Sequence, residues 1–134
     1  MSRSVPRWIW WGASAAIAVW LLWMTLRPNP SVANDLTPLT GSAIGRAVPA
    51  QVLIGLAGNV AVFVPLGATL TLALRDRTIP RSLIWATLLG SGLSLTIEVA
   101  QAALPSRVAS AGDLALNTLG TTLGAGAIVW LDRR

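Results

Sequence analysis

The sequence predicts an all-α integral membrane protein, a small bundle of four transmembrane helices with both termini in the cytoplasm. Three observations lead there. Of the 134 residues 54% are hydrophobic and only 11% charged, with a mean hydropathy of +0.65, more apolar surface than a soluble fold of this length can hide. Four apolar stretches are each long enough to cross about 30 Å of hydrocarbon at about 1.5 Å per residue. The basic residues, all arginine, sit in short clusters between these stretches.

The expected spans are Trp8 to Leu26, Val52 to Leu74, Ser82 to Leu104, and Leu114 to Leu131. The last is short and carries Asn117. The first is linked to the second by a segment holding Pro28, Pro30, Pro38 and Pro49, the second to the third by the tight turn from Arg75 to Arg81, and the third to the fourth by Pro105 to Asp113. With the N terminus inside, seven arginines (Arg3, Arg7, Arg75, Arg77, Arg81, Arg133 and Arg134) fall on the cytoplasmic side and three (Arg27, Arg46 and Arg107) outside, as the positive-inside rule requires. Trp8, Trp10, Trp11, Trp85 and Trp130 then lie near the inner interface and Trp20 and Trp23 near the outer, the positions of an aromatic belt. The competing reading of the first span is a cleaved leader, because Arg3 and Arg7 precede it and Ser31-Val32-Ala33 resembles a small-residue cleavage site. Its apolar run exceeds the roughly 7 to 15 residues of such a leader, and its tryptophan-rich ends suit a permanent anchor. The chain divides into residues 1–51, a transmembrane anchor plus extracytoplasmic loop, and residues 52–134, a three-helix membrane domain.

Composition also narrows the chemistry. With no cysteine and no histidine, disulfides, thiolate nucleophiles, Cys/His metal sites and imidazole acid/base catalysis are excluded, and no cofactor or metal is expected. A net charge of +5 and a pI near 11.8 would suit a nucleic-acid partner only if the arginines shared one face, and they do not. The expected surroundings are the lipid bilayer, with a lipid-linked envelope precursor as a candidate ligand. Gly120 and Gly124, spaced G-x-x-x-G, and the crowded Gly90, Ser91, Gly92 and Ser94 favour close helix approach, within the chain or against a second copy or another membrane protein. Pro65 should kink the second span and free a carbonyl that Ser94 is placed to serve.

The informative residues are those a membrane segment avoids: Asn59 in the second span, Glu98 and Gln101 in the third, and Asn117 in the fourth. In the assigned topology Asn59 and Glu98 reach comparable depths below the outer surface. Gln101 follows Glu98 on the same helical face, and Asp113 and Asn117 share a face as the fourth helix begins. Arg107 is near enough in sequence to pair with Glu98 or Asp113. One compact polar cluster opening outward is expected. Each member also has a plainer role: Asp113 as an N-cap, Asn59 and Asn117 as interhelical hydrogen-bonding groups, Gln101 as a solvated or structural residue near the interface, and Glu98 as half of a structural ion pair with Arg107.

Asn59-Val60-Ala61-Val62-Phe63-Val64-Pro65-Leu66-Gly67, then Glu98-Val99-Ala100-Gln101, then Arg107, and finally Asp113-Leu114-Ala115-Leu116-Asn117-Thr118-Leu119-Gly120 resemble, in order and spacing, the VanZ-like membrane proteins. The resemblance covers roughly Gly55 to Leu131. Family members often carry paired acids where this chain has Gly112-Asp113. The resemblance implies a small protein of the bacterial cytoplasmic membrane and cell envelope, in a family whose namesake is associated with lowered susceptibility to the glycopeptide teicoplanin.

The leading functional expectation is a non-enzymatic envelope protein binding a lipid-linked or surface molecule at Asn59, Glu98, Gln101, Arg107, Asp113 and Asn117, with Arg107 meeting an anionic headgroup and antibiotic access altered in consequence. The alternatives are a scaffold whose polar cluster only holds the helices together, and a small membrane enzyme with Glu98 or Asp113 as general base toward a lipid-linked substrate. An N-terminal tag is expected to survive in membrane-extracted protein; its loss would mark the first span as a cleaved leader.

Overall fold

The computed structural model describes residues 5–26, 48–75, 78–104 and 110–134, the side chains of residues 48–55 excepted. Its helices are α1 (Arg7–Leu26), α2 (Val48–Ala73), α3 (Ile79–Ala102) and α4 (Ala111–Asp132). All four contain a stretch long and apolar enough to cross a membrane. The proline-bearing connection, Ser31 to Ala33, and Arg3, Arg27, Arg46, Arg77 and Arg107 lie outside the described residues.

The helices begin earlier than hydropathy places them. Hydropathy marks the edge of the hydrocarbon, whereas a helix continues into the interface until its backbone groups find other partners. Pro80 stands in the first turn of α3, where a missing N–H costs nothing, and Pro49 holds the equivalent position in α2. α4 starts at Ala111 because Ser110 caps it. Pro65 does not interrupt α2, which is helical through it to Ala73. Ser94, expected to serve the carbonyl that Pro65 frees, instead accepts a hydrogen bond from Asn117 Nδ2 at 2.9 Å.

The closest pair is α2 with α4, and glycine makes the approach possible. A Cβ at Gly67 would overlap the Thr121 carbonyl, one at Gly120 the Val60 carbonyl, and one at Gly124 the Val64 carbonyl. Gly120 and Gly124 are therefore occupied within the chain. Thr121, fully buried, turns its side chain toward Gly90 and so stands where α2, α3 and α4 meet. Without a hydrophobic drive between helices in lipid, such close backbone packing is a principal source of association. Around this seam Phe63, Leu66, Leu70, Leu74, Ala86, Ile97 and Ala125 form the core, to which α1 adds Leu21.

α1 is attached by polar contacts as well. Ser14 Oγ donates to Thr69 Oγ1 at 3.0 Å, and Arg7 Nε donates to the Ala73 carbonyl at 3.0 Å, satisfying one of the carbonyls left open at the end of α2. At the same end of the bundle Arg75 pairs with Asp132 at 2.9 Å, and the Arg134 guanidinium lies 3.6 Å from the centre of the Trp130 ring. Both members of the ion pair are nearly half exposed, so it contributes at most about 1 kcal/mol. The outer surface is apolar, with Trp8, Val19, Trp23, Leu88, Val99 and Leu123 exposed, while Ser94, Glu98, Gln101, Asn117 and Thr121 are buried. This is the arrangement of a bundle whose solvent is lipid.

Gly124→Ala should lower thermal stability in detergent by about 1–3 kcal/mol, the cost of forcing a methyl into a filled seam. Gly126→Ala, where a Cβ meets open space, should not lower it. Equal melting of the two variants would contradict so close an approach of α2 to α4.

Candidate functional site

The polar residues gather at the end of the bundle where α1 and α3 finish and α4 begins. Ser110 is the N-cap of α4, its backbone extended (φ −130°, ψ 118°) and its Oγ accepting from Asp113 N at 3.3 Å. Ser110-x-x-Asp113 has the spacing of a capping box, in which the acid of the third helical residue would return to accept the cap's backbone N–H. Here Glu98 on α3 accepts that N–H instead, through Oε2 at 2.6 Å. Asp113 is thereby left to α2: its Oδ1 accepts from Asn59 Nδ2 at 2.7 Å. One helix start thus ties three helices together, with two carboxyl groups beside the positive end of the α4 dipole.

A turn deeper, Asn117 Nδ2 donates to Ser94 Oγ, while Asn117 Oδ1 is buried with no partner among the described residues. Below that the α3–α4 seam continues through Ser91 with Thr118 at 3.0 Å and Thr87 with Thr122 at 3.4 Å. Hydroxyls suit this position, because each can also return a hydrogen bond to its own helix, as Thr122 does to the Thr118 carbonyl at 2.8 Å.

The six candidate residues consequently separate. Asn59, Glu98 and Asp113 join through Ser110, and Asn117 lies below them beside Ser94. Gln101 turns to the other side, donating from Nε2 to the Thr25 carbonyl at the end of α1, at 3.0 Å. It is buried and bonded, the structural and not the solvated form of its plainer role. Asp113 is held by the cap but does not provide it. Arg107 lies outside the described residues. Ser110 and Ser94 are the residues that reading polar outliers from the sequence passed over as site members. The S-x-x-D spacing before an apolar run was the signal for Ser110.

A cavity of about 320 Å³ opens between α3 and α4 beside this junction, lined by Leu95, Glu98, Val99 and Ala102 of α3 and by Ser110, Ala111 and Leu114. Glu98, 7% exposed, is the only ionisable residue in its wall among the described residues, whereas Asn59, Asp113 and Asn117 are engaged elsewhere. No group of three His, Cys, Asp or Glu side chains comes together among the described residues. What the site offers is a carboxyl group and directed hydrogen bonds within an apolar groove.

A double-mutant cycle on Asn59→Leu and Asp113→Ala should return a coupling of about 1–2 kcal/mol in detergent unfolding, since the bond joins an amide to a carboxyl group and is partly buried. Additive effects would show that the contact contributes nothing.

The VanZ/LLP1 family model matches residues 11–132, taking in most of α1 as well as the three helices that carry the polar motifs. No curated protein and no solved structure matches the chain. With nearly the whole chain covered and four helices able to cross a bilayer, the protein is a multi-pass cell-membrane protein that belongs to the VanZ/LLP1 family.

Proposed function

We propose that the chain is a cell-envelope protein without enzymatic activity, which binds a lipid-linked or surface molecule in the groove between α3 and α4 and thereby alters susceptibility to teicoplanin. The observation that carries this reading is Glu98: a carboxylate set in the wall of an otherwise apolar groove that opens sideways between two membrane helices. A charge kept within a membrane segment is expensive and normally serves a pathway, a partner or a ligand. Asn59, Asp113, Asn117 and Gln101 hold the helix ends around the groove, and Ser110 fixes the carboxylate.

Orientation is part of the proposal. Arg7, Arg75, Arg81, Arg133 and Arg134 all belong to the end of the bundle opposite the groove, which supports a cytoplasmic placement of that end and an opening toward the outer leaflet. A scaffold is the second reading, favoured by the closed Asn59–Asp113 and Asn117–Ser94 pairs.

Deleting the gene in its host should change teicoplanin susceptibility. Wild-type protein should restore the original value, and Glu98→Gln, present in the membrane at the same level, should not. Identical susceptibility of the deleted and undeleted strains would sink the antibiotic part of the reading. Full complementation by Glu98→Gln would favour the scaffold.

A further inference from the structure

We infer that the occupant of the α3–α4 groove is a membrane lipid whose headgroup carries a primary ammonium, the ammonium on Glu98 and an acyl chain along Leu95 and Val99. This rests on the groove being a binding site, and it names the chemistry of the ligand. Leu95, Glu98, Val99 and Ala102 follow the i, i+3, i+4, i+7 spacing of a single face of α3, so the carboxylate lies in line with the apolar strip. Leu95 is 52% and Val99 65% exposed, which leaves that strip open to the bilayer. Glu98 is four residues from the end of α3 at Ala102, about 6 Å of helix, a depth at which a headgroup meets the first part of its chains.

Charge sets the class of headgroup. Among the described residues lining the groove no cationic side chain faces Glu98. An anionic headgroup would place like charges together in a region where water screens them poorly, whereas an ammonium supplies both the opposite charge and N–H donors. The bond from Ser110 N occupies Oε2 and fixes the carboxyl plane. Capping alone does not account for an acid on α3, because Asp113 stands at the position from which a capping box would serve the same N–H.

The test is native mass spectrometry of the full chain in detergent with phosphatidylethanolamine and phosphatidylglycerol of matched acyl chains at equal concentration. The wild type should retain phosphatidylethanolamine in about tenfold preference, the factor expected of one hydrogen-bonded charge pair. Glu98→Gln should lose the preference. Leu95→Trp and Val99→Trp, at exposed positions outside the core, should lose the lipid itself, and they serve should Glu98→Gln fail to fold.

Equal retention of both lipids, or preference for phosphatidylglycerol, would overturn the ammonium inference while leaving a lipid site in place, provided that the tryptophan variants still empty it. Lipid retention unaffected by either tryptophan would overturn the inference and the groove as a binding site together.

Discussion

Where α2 and α4 cross, main chain meets main chain. The carbonyls of Val60 and Val64 fill the space in which side chains of residues 120 and 124 would stand, and the Thr121 carbonyl does the same at residue 67. This approach determines much of the remainder. Because α4 lies so near α2, Asn59 can reach Asp113 across the pair; because Thr121 also fills the hollow at Gly90, α3 is drawn to the same axis. Side-chain packing of ordinary width would separate the helices and leave those polar groups to find partners in lipid, where each unmet group costs several kcal/mol.

The bundle also sorts its polar atoms by the kind of bond they make. Toward the middle, hydroxyls pair across the α3–α4 seam, with Thr122 also bonding back to its own helix, so these pairs carry no charge to that depth. Carboxyl groups occur only at the start of α4 and at Asp132 near the opposite end, among the described residues. Glu98 stands apart because one of its faces is held by the protein and the other lies along a groove.

Most of the architecture was legible in the sequence, because length and apolarity are enough to identify a span. Asn59, Glu98, Gln101 and Asn117 were visible as exceptions within apolar runs. Their partners were not. Helical periodicity tells which residues share a face but not how neighbouring helices are rotated, so Gln101, on the face of Glu98 by spacing, bonds instead to α1 at the Thr25 carbonyl. Asp113 was readable as part of a helix start, yet whether it or Ser110 supplied the cap depended on where the first turn began, which hydropathy does not resolve. The first helix was readable as a span; that Ser14 and Arg7 fasten it to α2 depended on contacts more than fifty residues apart in the chain.

The borrowed cap on α4 has a mechanical consequence. In an ordinary capping box a helix secures its own first turn, and nothing bound elsewhere can loosen it. Here that first turn is fastened from two neighbouring helices, by an amide on α2 and a carboxylate on α3. Whatever draws on the Glu98 carboxylate therefore pulls at the backbone of Ser110, and through the Ser110 hydroxyl and Asp113 at α2. A molecule seated at the lipid-facing edge of the protein would be felt on its inner seam without any helix having to unfold.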